Sequence, residues 1–161
     1  MTLRILVDAD ACPVKEEATR VALRHAVPIT FVSNAPFRIA PHPLVTRVIV
    51  GSGFDEADDW IATRADAHAI VITGDILLAD RALKAGATVL AHNGKPFTTA
   101  GIGAAIATRA IMADLRAGVE TDRGGGPAPF GKADRSRFLQ ALDEALVQLR
   151  RPGLTQPSPR T

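Results

Sequence analysis

The sequence predicts an α/β protein, a three-layer α/β/α domain with a mainly parallel central sheet of about five strands. Short apolar runs rich in Val, Ile and Leu recur along the chain and alternate with segments of helical periodicity. Runs that are apolar throughout are typical of strands buried on both faces, as in parallel sheets. A length of 161 residues fits one domain with a substantial core.

The predicted strands are separated by segments that carry helix and loop signals. Pro13 suits the first turn of a helix, and apolar residues then recur on one face until Pro28 ends the pattern. Three prolines between residues 35 and 43 require a loop after the second strand. The predicted strands are Leu3–Val7, Ile29–Val32, Val45–Val50, Ala69–Thr73 and Thr88–Leu90.

The remaining helices follow the third, fourth and fifth strands. Asp55 is placed to cap the second helix, and Gly86 is a C-terminal stop for the third. Apolar residues at helical spacing mark the last two helices, with Phe138 and Leu142 on one face of the final helix. The predicted helices are Val14–Ala26, Glu56–Ala67, Leu77–Ala85, Ile102–Ala117 and Ala133–Leu149.

Residues 1–149 form a single predicted domain, and residues 150–161 form a predicted disordered basic tail. The tail has three prolines, three arginines and no acidic residue. Without it, the chain has 16 basic and 17 acidic residues. The overall charge therefore gives no support for nucleic-acid binding, and any electropositive surface has to be local. The glycine-rich stretch at residues 118–132 is predicted to be a mobile loop.

Composition excludes several classes of protein. A single cysteine, Cys12, rules out a disulfide framework and a cysteine-based zinc site, and it fits a reducing compartment. No apolar run approaches the ~20 residues that span a bilayer, and Arg4 and Asp8 do not fit a signal peptide. Aromatic residues make up 4% of the chain, which argues against a stacking platform for single-stranded nucleic acid. We therefore expect a cytoplasmic protein without membrane contact.

Acidic residues follow three of the five predicted strands. They are Asp8 and Asp10 after the first strand, Asp55, Asp58 and Asp59 after the third, and Asp75 after the fourth. Parallel strands would bring these groups to one edge of the sheet. Helix capping explains any one of them, but it would leave their mutual repulsion in place. Carboxylate oxygens select hard cations, so we predict a Mg²⁺ or Mn²⁺ site among these acids.

A site of this kind is suited to the cleavage of phosphodiesters. A bound divalent ion lowers the pKa of water and stabilises charge on the reacting phosphate. The chain has no G-x-S-x-G nucleophile motif. Cys12 has no evident base beside it and is predicted to be a small buried residue. The acids are therefore the candidate catalytic residues.

Several blocks of the sequence resemble the YaiI/YqxD family of uncharacterised bacterial proteins. The blocks are VDADACPVKEEATRVALRH, FVSNAPFR, GSGFDEADDWIATRA, VITGDILLADRALKAGA and GGGPAPFGKADRSRFLQALD. They match in order and cover essentially residues 3–149. The family in turn resembles, more distantly, the PIN-like nucleases, in which a parallel sheet lies between helices. This likeness implies Mg²⁺ or Mn²⁺ held by acids after successive strands, and cleavage of RNA or DNA.

The likeness to PIN-like nucleases also implies roles for individual acids. Carried over residue by residue, the metal-binding acids would be Asp8, either Asp55 or Asp59, and Asp75. The supporting acids would be Asp10 and Asp58. On this likeness, the predicted catalytic residues are Asp8, Asp55 and Asp75. The predicted metal ligands are Asp8, Asp10, Asp55, Asp59 and Asp75.

Polar residues near these acids fit a phosphate-bearing substrate. Three of them follow the second strand, and three begin the last helix, whose N-terminus also favours anions. The predicted substrate-binding residues are Ser33, Asn34, Arg38, Lys132, Arg135 and Ser136. The alternative for Arg135 is an ion pair with nearby acids on a solvated surface.

Three functions are compatible with these features. The first is a metal-dependent nuclease or related phosphodiesterase, with RNA favoured over DNA as its partner. The second is a phosphohydrolase of the haloacid-dehalogenase type, because Asp8-Ala9-Asp10 imitates the D-x-D nucleophile motif of that family. The third is a non-catalytic RNA-binding or protein-interaction module that keeps only the fold.

Overall fold

The fold is described from a computed structural model of the 161-residue chain. It describes the backbone of residues 2–39, 41–53, 55–118 and 130–151, and the side chains of these residues except 109–118. Two predicted features, the mobile loop at residues 118–132 and the disordered tail at residues 150–161, lie largely outside the described residues. In the part that is described, no helix is long and apolar enough to cross a membrane.

Five strands form one sheet in which every neighbouring pair is parallel, which confirms the predicted fold class. The strands are β1 (Arg4–Asp8), β2 (Ile29–Ser33), β3 (Val45–Ile49), β4 (Ala69–Ile72) and β5 (Thr88–Leu90). Their order across the sheet is β3-β2-β1-β4-β5. The central strand is therefore β1, in which Val7 is level with Phe31 of β2 and with Ile72 of β4.

Five helices cover the two faces of the sheet. They are α1 (Lys15–Arg24), α2 (Glu56–Arg64), α3 (Ile76–Lys84), α4 (Thr99–Gly118) and α5 (Lys132–Arg150). Each coincides with a predicted helix, and the ends differ by at most three residues. One layer contains α1 and α5, and the opposite layer contains α2, α3 and α4.

Two hydrophobic cores hold the three layers together. In β1, Ile5 and Val7 face the α1 and α5 layer and belong to the same core as Phe138. Leu6, between them, faces the other layer and joins the core that contains Ile61 and Leu78. Consecutive apolar residues in the central strand are therefore all buried, because neighbouring residues of a strand point to opposite faces.

The chain reverses its direction across the sheet between β3 and β4. It proceeds from β1 through β2 to β3 on one side, and it then returns past β1 to form β4 and β5 on the other side. In open α/β sheets, this kind of reversal leaves a crevice beyond the carboxyl ends of the two central strands. In this protein the crevice lies beyond Asp8 and Ile72, the last residues of β1 and β4.

A tight turn after β5 brings the chain back along the outer side of that strand. Leu90 forms an isolated antiparallel bridge with Pro96. Gly94 in the turn has a φ of 88°, and a Cβ at this position would lie 2.6 Å from the carbonyl oxygen of Arg137 in α5. The turn therefore needs glycine both for its left-handed backbone and for the close approach of α5.

Replacing Gly94 by alanine should destabilise the protein by about 2 kcal/mol or more, because the left-handed backbone and the contact with α5 both oppose a Cβ. Gly103 in α4 is the control, since a Cβ there would meet nothing within 4 Å. Gly103→Ala should be neutral or stabilising by up to about 1 kcal/mol. Urea denaturation measures both changes, and equal stabilities of the two variants would contradict the role given to Gly94.

Candidate functional site

Acidic residues from three elements meet at the crevice beyond β1 and β4. Asp8 is the last residue of β1, Asp75 follows β4 and precedes α3, and Asp58 lies in the first turn of α2. Asp8 and Asp75 lie close enough to Asp58 for their charges to raise its pKa. Asp10 lies two residues after the end of β1, and its charge contributes to a raised pKa of Asp8. The structure therefore brings these four acids into one electrostatic group.

Thr73 ties Asp8 to the end of β4. Its hydroxyl donates a hydrogen bond to Oδ2 of Asp8 at 2.8 Å and accepts one from the backbone N–H of Asp75 at 2.9 Å. Asp75 in turn caps α3, since its Oδ1 accepts a hydrogen bond from the N–H of Leu77 at 2.8 Å. One hydroxyl thus fixes the positions of two acids relative to each other.

Ser33 makes the matching link at the end of β2. Its hydroxyl donates to Oδ1 of Asp10 at 2.5 Å, and the N–H of Asn34 donates to Oδ2 of the same residue at 3.2 Å. Both oxygens of Asp10 are therefore engaged with the end of β2. Among the described residues, Ser33 and Thr73 are the two buried polar side chains, with exposures of 3% and 0%. Each hydroxyl donates to an aspartate at or just after the end of β1.

Burial and like charge make Asp8 and Asp58 costly to ionise. Burial raises the pKa of Asp8, the hydrogen bond from Thr73 opposes this, and the charges of Asp75 and Asp10 add to the rise. Burial is also the largest cause at Asp58, where it acts with neighbouring carboxylates to raise the pKa to about 6. No lysine or arginine within the described residues forms an ion pair with any of the four acids.

Asp55 and Asp59, two of the predicted metal ligands, lie just before α2 and in its first turn. Asp59 forms an exposed ion pair with Arg81 of α3 at 2.8 Å. Its neighbour Asp58, predicted only as a supporting acid, faces the acids of the crevice instead. Asp55 occupies the N-cap position of α2 with a φ of 67°, but its side chain makes no capping hydrogen bond. Asp55 is exposed, and its charge acts on Asp58.

The predicted substrate-binding residues after β2 have different surroundings. The hydroxyl of Ser33 is buried against Asp10, so it is not presented to solvent. Asn34 is exposed and uses its backbone N–H for the same carboxylate. Arg38 is also exposed, and it lines a cavity beside α1. Arg38 therefore has a side chain that is placed to meet a ligand.

The predicted substrate-binding residues of α5 lie on its first turns. Arg135 donates to the backbone carbonyl of Pro13 at 2.6 Å and forms an ion pair with Glu17 at 3.2 Å. This is the surface pairing considered as the alternative for that residue, and it links α5 to α1. Lys132 and Ser136 are exposed.

His92 lies next to this edge of the sheet and was not singled out by the sequence. Its Nε2 is buried and has no hydrogen-bond partner among the described residues. A Cβ at Gly74 would lie 3.2 Å from Cε1 of the ring, so the ring packs against the segment between Thr73 and Asp75. Burial and the charge of Lys15 lower the pKa of His92, which keeps the ring neutral near pH 7. A histidine in a loop gives no sequence signal for this placement.

The donor chemistry of the crevice fits a hard divalent cation. Carboxylate oxygens are the ligands that Mg²⁺ and Mn²⁺ prefer, and a cation would relieve the repulsion among the acids. Within the described residues, no group of three or more His, Cys, Asp and Glu side chains lies close enough to hold a metal ion. Mg²⁺ commonly keeps several waters and binds through one or two carboxylates together with substrate phosphate. The acids of the crevice fit this looser mode of binding.

Together, the fold and the site define a doubly wound α/β protein with an acidic crevice at its topological switch point. The chain belongs to the YaiI/YqxD family: the model of that family, described as uncharacterised, matches residues 6–148. The resemblance noted in the sequence is thereby confirmed over nearly the whole domain.

Relatives of the chain match it along most of their length. A "UPF0178 protein" of Sphingopyxis alaskensis is 69% identical over 147 residues, which cover 91% of this chain and 95% of the relative. A "UPF0178 protein" of Nitrobacter winogradskyi is 54% identical over 149 residues, or 92% of this chain and 94% of the relative. A third, from Parvibaculum lavamentivorans, is 54% identical over 147 residues, or 91% and 95%. No solved structure matches the chain.

Asp58→Asn should stabilise the metal-free protein at pH 7.5. The pKa of Asp58 is raised to about 6 in the folded state from an ordinary value of 3.8, so the folded protein binds the extra proton between these values. The free energy of unfolding therefore falls as pH rises through this window. Asparagine removes the carboxylate charge that causes this fall. In EDTA, the variant should melt several degrees above the wild type at pH 7.5, and the difference should disappear by pH 4.

Asp59→Asn is the matched control for this experiment, because Asp59 is paired with Arg81 rather than facing the other acids. It should give no gain in melting temperature at either pH. A gain of equal size in both variants would show that the repulsion is not specific to Asp58.

Thr73→Val should destabilise the protein by about 1–3 kcal/mol, because it leaves the Asp8 carboxylate and the N–H of Asp75 without their shared partner. Thr73→Ser keeps the hydroxyl and should cost less than the valine variant, although it removes a buried methyl group. Urea denaturation of the two variants at pH 7.5 gives the comparison. A serine variant no more stable than the valine variant would mean that packing, not hydrogen bonding, is the contribution of Thr73.

Proposed function

We propose that the protein is a metal-dependent phosphodiesterase that cleaves nucleic acid, with RNA favoured over DNA. The observation that carries the proposal is the group formed by Asp8, Asp58 and Asp75 at the topological switch point. Burial and the neighbouring carboxylates raise the pKa of Asp8 and Asp58, so their charged forms oppose folding. Such perturbed groups in a cleft are typical of functional sites.

In this proposal, Asp8, Asp58 and Asp75 hold Mg²⁺ or Mn²⁺, and Asp10 and Asp55 are supporting acids. When bound, the ion would supply a water of lowered pKa and would stabilise charge on the phosphodiester. The acids follow parallel strands, and this position also supports the distant likeness to PIN-like nucleases. That likeness is part of the same proposal.

The residues around the acids would orient them for this task. Thr73 holds Oδ2 of Asp8, and among the described residues no hydrogen-bond donor contacts Oδ1, which is left for a ligand. Asp10 has both oxygens engaged by Ser33 and Asn34, which suits a supporting acid better than a direct ligand. Substrate phosphate would complete the coordination, since the chain supplies few ligands of its own.

Metal-dependent cleavage of a short single-stranded RNA and of the matching DNA tests the proposal. Asp8→Asn and Asp75→Asn should each reduce the rate in Mn²⁺ at least about a hundredfold. Asp66→Asn is the control, because Asp66 pairs with Arg4 at the opposite end of the sheet and should leave the rate unchanged. Calorimetry should show Mn²⁺ binding to the wild type and to Asp66→Asn, and weakened binding to the other two.

The other two functions predict different results in the same experiments. Cleavage that survives Asp8→Asn would contradict the proposal. A covalent aspartyl-phosphate on Asp8, detected by mass spectrometry, would establish the phosphohydrolase of the haloacid-dehalogenase type. Binding of RNA without any uptake of divalent ion would establish the non-catalytic module.

A further inference from the structure

A cavity of about 490 Å³ lies on the α1 side of the sheet. It is open to solvent and lies between the first turns of α1 and the segment that follows β2. Its size is within the range of about 300–1,000 Å³ that is usual for small-molecule sites. The residues that line it include Lys15, Glu16, Arg20, Phe31, Arg38 and Ile39.

The lining of this cavity is positively charged. Lys15, Arg20 and Arg38 contribute cations, and Glu16 is the one acid among the described residues that line it. None of the three cations forms an ion pair with a described residue. The domain as a whole is close to neutral, so the cavity is a local electropositive surface that would attract an anion.

An apolar surface lies beside these cations. Phe31 and Phe37 are in edge-to-face contact, with ring centroids 6.1 Å apart and an interplanar angle of 78°. The ammonium of Lys15 lies 5.4 Å from the centroid of the Phe37 ring. Arg47 donates a hydrogen bond to the carbonyl of Phe37, which holds this segment against β3. The cavity therefore combines the apolar side chains of Phe31 and Ile39 with cations suited to phosphate.

The segment between β1 and α1 connects the cavity with the acidic crevice. Lys15 donates a hydrogen bond to the carbonyl of Cys12 at 3.3 Å. Burial raises the pKa of Cys12, and the charges of both Lys15 and Asp8 act on this thiol. A ligand that extends from the cavity past Cys12 would therefore reach the acids.

We propose that this cavity binds one unpaired nucleotide of a nucleic-acid strand whose adjoining phosphodiester lies at the acidic crevice. The inference rests on the proposed function and makes single-stranded nucleic acid the substrate class. Arg20 and Arg38 bind phosphate, and the base packs against Phe31 and Ile39. A base within a duplex is stacked on both faces and cannot enter the cavity.

Binding of a fluorescent eight-nucleotide RNA, measured by anisotropy in EDTA, tests the inference without any cleavage. Arg20→Gln and Arg38→Gln should each weaken binding about tenfold. Lys84→Gln is the charge-matched control, because Lys84 lies at the C-terminal end of α3 with a side chain that is 75% exposed. All three positions are on the surface, and circular dichroism would check that the variants are folded.

Three further ligands separate a nucleotide site from a general anion site. A duplex of the same sequence and a strand of abasic sites should each bind the wild type about tenfold more weakly than the single strand. Polyglutamate of equal charge should not displace the RNA.

The inference is overturned if Arg38→Gln and Lys84→Gln weaken RNA binding equally, or if the wild type does not bind RNA. It is also overturned if the abasic strand or the duplex binds as tightly as the single strand, or if polyglutamate displaces the RNA. These results are distinguishable from failure of the proposed function, which concerns cleavage in Mn²⁺ and its loss in Asp8→Asn. A protein that cleaves RNA but binds it equally well with and without Arg38 would keep the function and lose the nucleotide site.

Discussion

Two hydroxyl–carboxylate hydrogen bonds set the arrangement at the carboxyl edge of the sheet. Ser33 at the end of β2 and Thr73 after β4 flank the central strand, and they donate to Asp10 and Asp8 respectively. A buried hydroxyl without a partner would cost free energy, and the two aspartates supply the acceptors. In return, the aspartates are held in fixed orientations despite the repulsion of a third acid, Asp58. The electrostatics of the crevice depend on where these two bonds hold the carboxylates.

The acidic crevice opposes folding, and the rest of the domain compensates for it. Consecutive residues of β1 pack into cores on both faces of the sheet, so the strand that ends in Asp8 lies at the centre of the domain between the two cores. Raised pKa values at Asp8 and Asp58 show that the folded state disfavours their charged forms. A stable scaffold that holds a locally unfavourable group is the usual organisation of a site that awaits a ligand.

The regular elements could be predicted because their signals are local, whereas the detail of the site depends on packing. The strand before Asp8 and the stop at Gly86 were evident from short stretches of sequence. The choice between Asp58 and Asp59 was not, because adjacent helical residues point about 100° apart and only the docking of α2 decides which one faces the sheet. Likewise, the sequence placed Ser33 at a strand end, but its partner depends on the position of the segment after β1.

The two outer edges of the sheet differ in their protection. The turn after β5 folds back so that Leu90 bridges Pro96, and this uses hydrogen-bonding groups on the open side of that strand. β3 pairs only with β2 in the described chain, and its exposed residues include Thr46 and Arg47. An open strand is a template for a further strand from another molecule, and a charged side chain discourages such addition. Aggregation by strand addition would therefore begin at β3, where Arg47 is the charged residue that opposes it.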